Sequence, residues 1–208
     1  MKQWTFLALT AAVALTAAAG LSFAEDDDGV RFQLAVNPKF AACLGNPNGP
    51  APKADVRVVR GKLNDTMVLK LSHVKPNLTF DLFTVEKSTL LANGQPNVAV
   101  PNVGMAWYQS DIEANKNGEA EVQIKTILLD QIFGLDQSTF LPPTNTFHVG
   151  FWFNDPKDAA ACGFPVANPT PFNGDHQAGP LAMISLPDAV TNLGPLCTKP
   201  QANGTCHP

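Results

Sequence analysis

The chain has 208 residues, with 14 lysines and arginines against 18 aspartates and glutamates, a formal net charge of −4 at pH 7. No basic cluster interrupts that acidic balance, so nucleic acid and anionic lipid are poor partners. Hydrophobic residues make up 45% of the chain, which excludes a disordered tail-like protein and allows a sizeable core.

In chain order, the first feature is a leader. Lys2 precedes an apolar run from Trp4 to Leu21, and Ser22-Phe23-Ala24 stands before the acidic Glu25-Asp26-Asp27-Asp28. Small residues at Ser22 and Ala24 suit signal peptidase, so residues 1–24 read as a secretory signal peptide cleaved after Ala24. The rival, an uncleaved membrane anchor, lacks a positive stop-transfer flank. Loss of Lys2 with the leader brings the balance to about −5. No later apolar run has membrane-spanning length, so no span is expected after cleavage. The mature chain is predicted to be secreted, either extracellular or held in a periplasm or on a cell surface.

From residue 25 to 195 the pattern is that of strands. Val30, Phe32, Leu34 and Val36 alternate with Arg31, Gln33 and Ala35, and Val56 and Val58 mark a second strand. Met67, Leu69 and Leu71 alternate likewise, Lys75-Pro76-Asn77 makes a turn, and Leu78, Phe80 and Leu82 resume the period. Residues 66–86 therefore read as a hairpin. Asn117-Gly118 is the strongest hairpin signal, because both residues tolerate positive φ. Ile127, Leu128, Gln131, Ile132 and Leu135 follow helical spacing and predict a short helix or turn. Phe147, Val149, Phe151 and Phe153 form one face of a further strand, and 181–186 supply the last. Pro, Gly and Asn-rich stretches at 45–54, 93–97, 141–146 and 168–180 separate these elements as surface loops. The sum is an all-β fold: an antiparallel β-sandwich of immunoglobulin-like or jelly-roll type, with about seven to eight strands, long loops and one short helix. Residues 196–208 read as a tail tethered by a disulfide.

Four cysteines, Cys43, Cys162, Cys197 and Cys206, are an even set in a chain bound for an oxidising compartment, which favours disulfides. Pro200 and Asn203-Gly204 can reverse the chain between Cys197 and Cys206, so that pair is expected and Cys43 with Cys162 follows by elimination. Zinc is disfavoured by the lack of a C-x-x-C pair.

The segment Ser110–Ile124 carries Asp111, Glu113, Asn115, Asn117, Glu119 and Glu121 and invites comparison with a calcium loop. An EF-hand needs glycine at position 6 and glutamate at 12. Counted from Asp111 those positions hold Lys116 and Val122; counted from Glu113 they hold Gly118 and Ile124. The stretch reads as a turn with a solvated acidic face, and no metal or cofactor is expected.

The histidines His73, His148, His176 and His207 show no metal-ligand spacing. His176 beside Asp175 in a Gly-rich loop, together with His148 and Asp155, makes the best candidate for an acid/base or metal site. No G-x-S-x-G elbow or phosphate-cradling loop occurs. Asp81, Glu86, Asp111 and Asp130 are the carboxylates available on strands or their ends for a glycosidase pair, and read as ordinary surface acids. Trp107-Tyr108 and Phe151-Trp152-Phe153 put adjacent aromatics on both faces of their strands. Trp107, Tyr108 or Trp152 could thus form a sugar platform or a protein contact, unless long loops cover them. Asn64, Asn77 and Asn203 head glycosylation triplets in predicted turns.

The leading expectation is a secreted, disulfide-stabilised module that binds an extracellular protein, a polysaccharide or another copy of itself. An enzyme is the alternative, a secreted hydrolase or metal-dependent enzyme with a loop-built site around His148, Asp175 and His176.

Overall fold

The computed structural model describes residues 29–198, apart from 130, 131, 135, 136, 139, 141, 168 and 169. Residues 1–24, expected to be a leader, and Cys206, Asn203 and His207 lie outside the described residues.

Among the described residues the chain forms nine strands: β1 (Gly29–Val36), β2 (Lys53–Val59), β3 (Asp65–Ser72), β4 (Thr79–Val85), β5 (Ala106–Glu113), β6 (Ala120–Thr126), β7 (Thr146–Phe153), β8 (Leu181–Ser185) and the two-residue β9 (Leu196–Cys197). Every pairing is antiparallel. The all-β antiparallel expectation therefore holds. Eight strands form one continuous path, β5-β4-β7-β8-β1-β2-β3-β6, with β9 added on β7. Because β1 pairs with both β2 and β8, the two layers merge into one curled, nearly barrel-like sheet instead of two separate ones. Its interior holds Met67, Leu69, Phe80, Leu82, Phe147, Phe151 and Phe153, each fully buried. Each such side chain contributes about 1.5–3 kcal/mol of transfer free energy.

Two expectations of hairpin pairing fail, and the segment expected as a short helix or turn is not helical, for identifiable reasons. Residues 66–86 are not a hairpin: β3 pairs with β2 and β6, while β4 pairs with β5 and β7. His73 and Asn77 take left-handed φ of 63° and 61°, and the link's amides bond elsewhere, Val74 to the Gly118 carbonyl at 3.2 Å and Lys75 to that of Leu44 at 2.8 Å. The chain thus crosses from one layer to the other. Asn117-Gly118 does form a turn, with Gly118 at φ +73°, but it joins the two end strands of the path rather than a paired hairpin. Asn115 Oδ1 organises it by accepting the N–H groups of Asn117 at 2.8 Å and Glu119 at 3.2 Å.

The remaining segment is the one expected as a short helix or turn. Ile127–Leu129 and Ile132–Gly134 are not helical; Gln131 and Leu135 lie outside the described residues. The N–H groups of Leu128 and Leu129 donate to Asp65 Oδ2 at 2.8 and 2.9 Å, which ties this segment to the start of β3. Short helices occur elsewhere. A 3-10 turn (Pro38–Phe40) leads into α1 (Ala41–Leu44), and a second 3-10 turn spans Pro156–Cys162. Asn37 caps the first by accepting the Lys39 N–H, and Asp155 caps the second by accepting that of Lys157.

Cys43 on α1 and Cys162 on the second 3-10 turn form a disulfide across 119 residues of sequence. Cys197 is disulfide-bonded as well, and its expected partner, Cys206, lies outside the described residues. The tail begins as part of the sheet, since Leu196 pairs with Phe147 and is fully buried.

Candidate functional site

The outer face of β4, β7 and β8 carries a second apolar cluster, Phe83, Val85, Leu90, Trp152, Ala178, Leu181 and Ile184. Loops from 86–105 and 154–180 fold over it, so Trp152 is only 8% exposed. Where those loops part, an open groove of about 1230 Å³ remains.

Register explains its floor. Along β4 the core takes Phe80 and Leu82, which leaves Asp81 and Phe83 on the outer face. Across the strands Asp81 stands opposite Asp111 on β5 and Trp152 on β7. Tyr108 and Asp111 are three residues apart and would point to opposite faces of a regular strand. A bulge corrects this: Leu82 pairs with Ser110 but Phe83 with Tyr108, so Gln109 is the extra residue. Tyr108 and Asp111 then share a face, and the Tyr108 hydroxyl donates to Asp111 Oδ1 at 2.7 Å. Burial and that carboxylate together hold the phenol well above its usual pKa.

Phe83 is the hub of an aromatic cluster, with Tyr108 at 5.6 Å, Trp152 at 5.3 Å and Phe172 at 5.4 Å between ring centroids. The Tyr108 and Trp152 pairs are edge-to-face and the Phe172 pair tilted; such aromatic pairs add about 0.5–1.5 kcal/mol each. Tyr108 nevertheless keeps 54% of its surface exposed.

The polar end is built by Asp81 on β4, Asn154 just past β7 and one loop. Asp81, 3% exposed, accepts the Asn154 Nδ2–H at 2.9 Å. His176 Nε2 lies 2.9 Å from the same amide nitrogen and 3.4 Å from Asp81 Oδ2, and its Nδ1 lies 2.8 Å from Asp175 Oδ1. In the neutral ring Nδ1–H donates to Asp175 and Nε2 accepts from Asn154. Burial pushes the imidazole pKa down, but the Asp175 hydrogen bond and the charges of Asp81 and Asp175 outweigh it, and the net direction is up. Asp175 moves the opposite way, lowered first by its hydrogen bond to His176.

Of the residues singled out in the sequence, Tyr108, Trp152, Asp175 and His176 line this groove. Trp107 does not. It points into the barrel against Phe147, 5.6 Å between centroids, and its indole N–H donates to the Phe133 carbonyl at 3.0 Å. His148 is also elsewhere, buried with Nδ1 3.0 Å from Ser185 Oγ and 3.1 Å from the Ser185 carbonyl. Desolvation lowers its pKa to about 4, against a partial rise from the Ser185 backbone. Asp155 is used as a helix cap. The proposed convergence of His148, Asp155, Asp175 and His176 is therefore replaced by Asp81, Asn154, Asp175 and His176. Asp81 and Asp111 are legible as strand acids, but what brings His176 to Asp81 is loop 172–179 folding onto β4, which no local pattern encodes. Phe83 and Phe172 carried no signal beyond hydrophobicity.

Among the described residues no group of three or more His, Cys, Asp or Glu side chains is arranged to hold a metal ion, and no helix is long and apolar enough to cross a membrane. The chain matches no protein-family model, no curated protein and no solved structure.

Proposed function

We propose that this protein is a secreted binding module that takes its ligand in the groove over β4, β5 and β7, the ligand being part of an extracellular protein, a polysaccharide or a second copy of the chain. The observation that carries this reading is Tyr108, a half-exposed ring locked by Asp111 at one end and Phe83 at its flank. A rigid amphipathic ring on an open groove supplies contact area at little entropic cost on binding. The disulfides fit an oxidising compartment. An enzyme reading keeps the His176 to Asp175 contact but loses His148, and the described groove lining offers no serine or cysteine nucleophile.

The test is a screen of the full-length chain against peptide and glycan arrays, repeated with Tyr108→Ala and Phe172→Ala. Groove ligands should give signals that both variants lose while their melting temperatures stay within a few degrees of wild type. Signals that survive both substitutions would place the binding surface elsewhere.

A further inference from the structure

The groove has charge of one sign. Asp81, Asp111 and Asp175 line it, and among the described lining residues there is no lysine or arginine. Asp81 is the informative member. A carboxylate offers about four acceptor positions, yet this buried one has one amide N–H and a longer contact with His176 as its side-chain partners. A buried anion with so few donors gains from an incoming cation that brings its own hydrogen bonds. The same groove is lined by rings of the cluster around Phe83, with Tyr108 open to solvent. A guanidinium matches both halves of that environment, because it is planar, stacks on aromatic rings and forks onto carboxylates, whereas a compact ammonium does only the last and as a point charge.

We propose that the groove binds an arginine side chain presented by a partner protein, its guanidinium held between Asp81 and Asp111 and stacked on Tyr108. This rests on the groove-binding reading above and narrows its ligand. His176 is the built-in competitor. Its ring is faced by Asp81 from β4, Asn154 from the end of β7 and Asp175 from its own loop, with Asp111 and Tyr108 of β5 also lining the groove. On protonation, Nε2 stops accepting from Asn154 and donates to Asp81, occupying the carboxylate that the ligand needs. Affinity for arginine therefore falls as pH drops through the titration of His176.

The experiment is an NMR titration of the full-length chain with an end-blocked Gly-Arg-Gly peptide, its citrulline counterpart, which is the neutral near-isostere, and a glucosamine tetramer. The arginine peptide should bind about tenfold or more tightly than the citrulline peptide, and Asp111→Asn should remove most of that difference. Added salt should weaken only the arginine complex, and His176→Gln should abolish its pH dependence. Asp111 is exposed, so its substitution leaves folding intact even if Asp81→Asn does not. Equal affinity for the two peptides overturns the proposal; if that binding disappears in Phe172→Ala, the groove reading survives alone. Binding of neither peptide overturns it, as does binding of the glucosamine tetramer alone, which would make the ligand an amino sugar.

Discussion

His148 is a titratable residue fixed in its neutral form by burial. Its folded pKa of about 4 lies below the ordinary 6.5, so between these values the unfolded chain binds a proton that the folded chain does not. Stability is then fully present above pH 6.5 and declines as pH falls toward 4, by about 3 kcal/mol in all. Urea midpoints measured from pH 7 to pH 4 should fall steeply for the wild type and less steeply for His148→Asn; equal slopes would remove His148 from the account. His176 acts in the opposite sense. Its raised pKa favours folding at pH below 6.5, and the benefit is lost as pH rises through the folded value. With its side chain 40% exposed, solvent screens that contribution and the His148 slope dominates. Asp65 is the other residue of consequence, 4% exposed and accepting the N–H groups of Leu128 and Leu129. Asp65→Ala leaves both donors buried and unpaired and should cost about 2–4 kcal/mol in thermal or urea unfolding. A loss below 0.5 kcal/mol would mean that water replaces the carboxylate there.

At the level of elements, period-2 patterning located β1 to β4 and β7, where hydrophobic alternation records the face in the core, but it gave no strand over β5 or the two-residue β9. It could not give the strands' partners. A Pro-Asn turn and an Asn-Gly turn both read as hairpins, since local sequence encodes the bend but not which strand lies alongside. Pairing here is decided by where the loop amides find acceptors, Leu44 and Gly118, which are remote in sequence from Lys75 and Val74. The groove was legible only in part for the same reason: alternation puts Asp81 and Phe83 outward, but the bulge at Gln109 and the return of loop 172–179 are tertiary facts. Gly118 tests the turn. A Cβ there would meet the Val74 carbonyl oxygen, whereas one at Gly94, also at positive φ, would meet nothing within 4 Å. Gly118→Val should therefore destabilise by about 3 kcal/mol and Gly94→Ala by about 1 kcal/mol, in thermal melts of the two variants. Glu121→Gln, on an exposed pair with Lys70 at 3.5 Å, should change the midpoint by less than about 0.5 kcal/mol. Similar losses at both glycines would show that strain alone, not the contact with Val74, fixes Gly118.

For the molecule as a whole, the Cys43–Cys162 bridge ties the short helix after β1 to the 3-10 turn after β7, and so links early and late parts of the chain. Closing a loop of 119 residues restricts the unfolded ensemble, and replacing both cysteines by alanine should cost about 2–5 kcal/mol in urea. An unchanged midpoint would show that packing of Phe40 on Phe164, 6.2 Å apart, already supplies that restraint. The sheet's path has a further consequence. Its two outermost strands, β5 and β6, are successive in the chain and are turned toward each other by the 114–119 connection, while the segment after β6 returns to give Trp107 its acceptor at Phe133. Rows of backbone amides that would otherwise recruit a strand from a neighbouring molecule are thus kept facing their own chain. The order in which the strands are connected is in this way itself a guard against edge-to-edge growth of fibrils.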